Sequence, residues 1–185
     1  ITIYDGLLNG DILMACIISV DIFMVDLQPM VRRTDAIQSF DSQQTPFVQI
    51  TDSDGVTGLG YSYTIGQGGS AVMALLRDDL IGQLIGQDAE EVGRIWRDLL
   101  FSIHATAVGA ISSLALAAID IALWDLRCKR AKLPLYKMLG GAKSSVAMYT
   151  TEGGWLHIDT ADLVADALAA QAKGFSGSKV KIGPR

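Results

Sequence analysis

The sequence predicts an α+β fold, a three-stranded antiparallel meander followed by helices, with a single βαβ unit after it. Three observations carry this. Between residues 17 and 63, three runs rich in Ile, Val, Phe and Tyr are separated by a polar stretch and an Asp54-Gly55 turn, as the strands of a meander are. From 72 to 126 the apolar residues fall at helical spacing instead. After Gly141 a strand, a helix and a second strand follow in quick succession, and that order makes the two strands parallel with a right-handed crossover.

Taken in order, residues 1–16 read as an N-terminal extension. They are apolar but carry Asp5 and Asp11 and no basic start, so a secretory signal is not expected, and Met14 is the expected natural start. Residues 17–27 form the first strand, stopped by Pro29. The polar, aperiodic stretch 30–44 reads as a long loop, and loops of this length are often functional lids. The second strand begins at Phe47 and the third spans 56–63, with Gly58 and Gly60 allowing it to curve. A glycine-rich loop, YSYTIGQGGS from Tyr61 to Ser70, opens onto a helix over 72–84, a geometry that can bind an anion. Because it lacks both GxGxxG and GK[ST], a nucleotide site is not expected.

A second helix starts at Asp88, with Glu91 three positions on, and His104 just after it reads as a structural histidine. The helix of 111–126 is apolar nearly all round, which marks a helix buried between layers. Asp120 and Asp125 interrupt it, and both are expected to have fixed partners, since an unpaired buried carboxylate is costly. Those acids, with Arg127, Lys129 and Arg130, leave it short of the roughly 20 unbroken apolar residues of a membrane span. Beyond Gly141, 146–150 is a short strand, Asp159 or Thr160 caps a helix that Gly174 ends, and 178–182 is a strand again.

Composition narrows the function. Half of the 185 residues are hydrophobic and the formal net charge is −5, with no basic stripe, which argues against nucleic acid. Cys16 and Cys128 are too few for a disulfide framework, and with His104 and His157 they make no zinc spacing. A reducing cytoplasm is the expected setting, with no membrane partner.

The run Ala118, Ile119, Asp120, Ala122, Leu123, Trp124, Asp125, Leu126, then Lys129, Pro134, Leu135 and the pair Gly140-Gly141, resembles the signature of the mandelate racemase and muconate lactonizing enzyme family of the enolase superfamily. The resemblance covers nearly all of 17–185 but half, or a little less, of a complete family member. It implies that 17–141 is an α+β capping domain and that 142–185 starts a truncated (β/α) TIM-like barrel. Two barrel strands leave an unpaired edge, so poor solubility or association is expected of this polypeptide alone, without activity. It implies homo-oligomers for the full-length form.

Lys179 and Lys181 stand two apart on the last strand, which places them on one face about 6.6 Å apart. At an effective dielectric of roughly 20 two ammonium groups at that distance repel by about 2.5 kcal/mol, which favours the neutral amine of one of them. A solvated strand face has the same spacing. The resemblance goes further: it implies that Lys181 is a general base taking the proton α to a carboxylate, while Lys179 helps hold that carboxylate. It also implies Mg²⁺ held by three Asp or Glu residues beyond Arg185, since Asp120, Asp125, Glu152 and Asp159 do not match those positions. Substrate choice would come from loops 30–40 and 61–69 and from the end of the first barrel strand. The candidates there are Arg33 and Thr34, Tyr61 and Tyr63, and Thr151 and Glu152. Arginine suits carboxylates by its fork of donors, and loop solvation or strand packing remains the plain alternative for each.

The function so implied is Mg²⁺-dependent proton abstraction from a small carboxylate, as in an acid-sugar dehydratase, cycloisomerase or epimerase. A muconate-type cycloisomerase or a dipeptide epimerase is the alternative within the class, and a non-catalytic packing module the alternative outside it.

Overall fold

Residues 15–183 are described by the computed structural model. The expectations for residues 1–14, and for the chain beyond Gly183, lie outside the described residues. Strands β1 (Ile17–Leu27), β2 (Gln43–Asp52) and β3 (Thr57–Tyr61) pair antiparallel in that order. One face of β2 supplies Val48 and Ile50 to the core, both fully buried. On the other face Phe23, Phe47 and Tyr61 share one register row, and their rings follow one another at 5.0 and 5.7 Å. β2 starts four residues before its first aromatic because Gln43 and Gln44 pair with Leu27 and Asp26, polar residues that pattern alone does not mark as strand.

Helix α1 (Gly69–Leu75) continues through a wider π turn and a tighter 3₁₀ turn to Gln83. Its first N–H, on Gly69, donates to the Gln44 side chain at 2.9 Å, so the expected anion-binding end is already satisfied by a side chain of β2. Helix α2 spans Val92–Ser102. It begins later than expected because Asp88 turns its carboxylate onto the Glu90 N–H at 3.0 Å, closing a local turn instead of capping a helix.

Helix α3 (Ala110–Ala131) is the spine. Ala115, Leu116, Ala118, Ile119, Ala122, Leu123 and Leu126 are buried against the sheet and the other helices. Gly58 and Gly60 explain how closely it lies. A Cβ at Gly60 would fall 2.0 Å from the Ala118 carbonyl oxygen, and one at Gly58 2.1 Å from that of Ala122. Both glycines therefore serve backbone-to-backbone approach, where curvature was expected. Asp125 accepts the Leu59 N–H at 2.8 Å and pairs with Lys129 at 2.7 Å, tying α3 to β3. Asp120 departs from expectation: it is half-buried and, among the described residues, makes no hydrogen bond or ion pair, so burial pushes its carboxyl up.

After the short helix α4 (Leu135–Met138) come β4 (Tyr149–Thr150), α5 (Thr160–Ala172) and β5 (Gly177–Ser178). β4 and β5 are parallel, and Asp159 caps α5 by accepting the Asp162 N–H at 2.9 Å. Both strands are shorter than the five residues expected. Among the described residues no helix is long and apolar enough to cross a membrane.

Candidate active site

Three segments meet beside the end of the two-stranded sheet: the β1–β2 loop, the stretch 151–158 after β4, and residues 179–182 after β5. The β1–β2 loop is closed on itself. Phe40 N–H donates to the Arg33 carbonyl at 2.9 Å, and the Asp35 carboxylate accepts the N–H groups of Ile37 and Gln38 at 2.8 and 3.0 Å. Those two bonds, with a smaller contribution from the nearby Lys181 charge, hold the Asp35 carboxyl below the usual carboxylate range.

The 151–158 segment is fixed by its glycines. Gly153 has φ +78°, and a Cβ at Gly154 would meet the Lys179 carbonyl oxygen at 2.0 Å, so the chain there runs hard against the lysine segment. Across that contact Lys179 N–H donates to Thr150 O at 2.8 Å and Lys181 N–H to Gly154 O at 2.7 Å. Alternate amides donating toward one edge are the mark of extended chain, so Lys179 and Lys181 keep the i, i+2 relation although strand pairing stops at Ser178.

Side chains join the segments. Arg33 Nη2 donates to Glu152 Oε1 at 2.6 Å, while Arg33 Nε is buried and, among the described residues, has no hydrogen-bond partner. The buried Thr34 hydroxyl lies 2.7 Å from His157 Nδ1. The Trp155 ring meets the Phe40 ring edge-on at 5.6 Å, carries Lys181 Nζ 5.7 Å from its centroid, and points Nε1 at Glu152 Oε2, 3.5 Å away. Pro29, Arg33, Phe40, Tyr63, Ile65 and Trp155 line a cavity of about 150 Å³ at this junction.

Of the residues singled out in the sequence, Lys181, Arg33, Thr34, Glu152 and Tyr63 are gathered here. Lys181 is half-buried, Lys179 is exposed, and Thr151 is exposed beside Glu152. Tyr61 goes elsewhere. It lies in the aromatic row of the sheet and lines a separate groove of about 1070 Å³ with Asp120 and Trp124. Trp155, Phe40, Asp35 and His157 went unrecognised. The run Gly153-Gly154-Trp155 beside an expected strand end was the available signal for the first. His157 carries no local signal, since its partner Thr34 lies 123 positions away.

Among the described residues no three His, Cys, Asp or Glu side chains converge as a metal cage. Glu152 is engaged by Arg33 and Asp159 by the start of α5, so the residues present do not fit a resident cation.

Comparison with known proteins gives this geometry its context. The family model described as "Mandelate racemase / muconate lactonizing enzyme, N-terminal domain" matches residues 13–140. A 3,6-anhydro-alpha-L-galactonate cycloisomerase of Streptomyces coelicolor is 44% identical over 137 residues, which is 74% of this chain and 37% of that protein. An L-talarate/galactarate dehydratase of Salmonella typhimurium is 34% identical over 135 residues, 73% of this chain and 34% of that protein. The crystal structure of that dehydratase superposes with a TM-score of 0.88 at 28% identity, covering 98% of this chain and 48% of the other. A Streptomyces coelicolor racemase with bound magnesium superposes with a TM-score of 0.84 at 38% identity, covering 90% of this chain and 47% of the other. The chain thus spans about a third of the length of its curated relatives. With a family match over most of its residues and a sheet-and-helix layout to go with it, the chain belongs to the mandelate racemase / muconate lactonizing enzyme family.

Proposed function

We propose that this chain is the N-terminal part of an enzyme that removes the proton α to the carboxylate of an acid sugar, with dehydration, cycloisomerisation or epimerisation as outcome. Residues 17–141 act as the cap, and 142–185 begin a (β/α) barrel completed by further chain. The observation that carries the reading is the position of Lys181. It sits half-buried beneath the cap loop, its ammonium over Trp155, with the Arg33 guanidinium drawn to the same junction. Relatives that act on sugar acids, among them the dehydratase of talarate and galactarate, support the substrate class.

In this scheme the neutral amine of Lys181 takes the α-proton into its lone pair and becomes an ammonium, leaving the C–H electron pair as an enediolate. Lys179, on the same edge of extended chain, offers its ammonium to the carboxylate whose acidity is being raised. Arg33 offers a fork of donors to a more distant oxygen of the substrate, and Thr34, Tyr63, Thr151 and Glu152 line the approach. Tyr61, from its place on the other face of the sheet, would need the loop after β3 to carry substrate toward it, and we give it no role. Mg²⁺ is present in structures of relatives, and in the full-length protein it would be held by acidic residues beyond Arg185. The full-length protein is proposed to assemble as a homo-oligomer.

The test is turnover of the full-length protein with Mg²⁺ on a panel of acid sugars, repeated with Lys181→Ala. The mutant is expected to lose roughly 10²–10⁴ in kcat, as loss of a general base does. Undiminished turnover would remove Lys181 from the mechanism.

A further inference from the structure

We infer that Trp155 is a positioning residue: its indole face holds the Lys181 amine at a set place and ties that place to the cap loop. The inference rests on the proposed role of Lys181 as base. Lysine has four rotatable side-chain bonds, so a base of this type loses rate whenever its amine wanders from the α-carbon. Two constraints limit it here. The backbone is pinned, since Lys181 N–H donates to Gly154 O at 2.7 Å and Gly154 leaves no room for a Cβ against Lys179. The far end meets the Trp155 face, with Nζ 5.7 Å from the ring centroid, inside the range of a cation–π contact.

The ring is itself held from the cap side. Phe40 abuts its edge at 5.6 Å, and Glu152, whose Oε1 is taken by Arg33 at 2.6 Å, presents Oε2 to the indole N–H at 3.5 Å. The aromatic edge contact is the firmer of the two, because 3.5 Å is the outer limit of a hydrogen bond. Trp155 is one peptide from Gly154, so the same short segment fixes both the lysine backbone and the surface on which its amine rests.

The experiment compares wild type, Trp155→Phe, Trp155→Leu and Phe40→Leu in the full-length protein with Mg²⁺ and a substrate on which Lys181→Ala has been assayed. Trp155→Leu is expected to lower kcat about tenfold with KM within threefold, and Trp155→Phe to keep at least half of kcat. Phe40→Leu, which loosens the ring without touching Lys181, is expected to lower kcat two- to threefold. Three results overturn the inference: an unchanged kcat in Trp155→Leu, a raised KM at constant kcat, which makes the ring a pocket wall, or equal damage in Trp155→Phe, which moves the effect to the indole N–H. Should Trp155→Leu not fold, Phe40→Leu decides, and an unchanged kcat there overturns it. Failure of the underlying reading is separate, because it shows as full activity in Lys181→Ala.

Discussion

The two parts of this chain treat the same kind of side chain in opposite ways. In the sheet-and-helix part Val48, Ile50, Leu76, Leu80, Leu84, Ile119, Leu123 and Leu126 are all at most 1% exposed. After Gly141, Val146, Met148, Leu168 and Ile182 are 76, 65, 61 and 91% exposed, and among the described residues only Gly154 and Ala170 are buried. The first region closes its own core. The second is held by backbone bonds between its two strands and by a handful of contacts to the cap loop: Arg33 to Glu152, Thr34 to His157 and Phe40 to Trp155. Stability therefore rests on the core of the first region and site geometry on the junction between the two, and mutations should separate them.

The largest expected effect is on the core. Leu123→Ala should cost about 2–5 kcal/mol, the range for truncating a fully buried leucine, read as a lower melting midpoint. Its counterpart Leu168→Ala, on the exposed face of α5, should cost less than about 0.5 kcal/mol in the 185-residue chain. If further barrel strands cover that face in the full-length protein, the cost there should climb toward the value for a buried leucine, about 2 kcal/mol or more. Equal, small costs in both forms would break the comparison.

Next is the cap contact. Arg33→Lys keeps the charge but loses the fork, and should raise KM for an acid sugar by about tenfold with a melting midpoint near wild type, since its partner Glu152 is half-exposed and such pairs contribute roughly 0–1 kcal/mol. The smallest effect is at Asp120. Its folded carboxyl is raised by burial, so the folded state binds the proton more readily than the unfolded one. Stability from this group is then greatest below the unfolded value, 3.8, and falls as pH rises from there through the folded value. Asp120→Asn should accordingly raise the midpoint at pH 7, with the gain shrinking as the pH is lowered through that window and gone below 3.8. A midpoint lowered at pH 7 would mean the carboxylate has a partner in the full-length protein.

Much of this was legible in the residues. Strand β1, the turn at Asp54-Gly55 and the central helix follow from period and turn chemistry, which are local properties. The start of β2 was hidden because Gln43, Gln44 and Pro46 do not look like strand, and only pairing with β1 makes them so. Gly58 and Gly60 were visible as glycines, yet their reason, the carbonyls of α3 some sixty positions on, was not. The site shows the same divide. Lys179 and Lys181 announce themselves by spacing and by resemblance, whereas Trp155, Phe40 and His157 matter only through contacts between distant segments, which no local pattern encodes.

The most direct test of the central claim, that Lys181 is the group beneath the cap that moves the α-proton, is hydrogen exchange in deuterated buffer. With full-length protein, Mg²⁺ and an acid sugar, proton NMR should show deuterium entering the α-position. In Lys181→Ala the exchange should fall by at least a hundredfold while the melting midpoint stays within a few degrees of wild type. Exchange in the mutant at the wild-type rate would contradict the account.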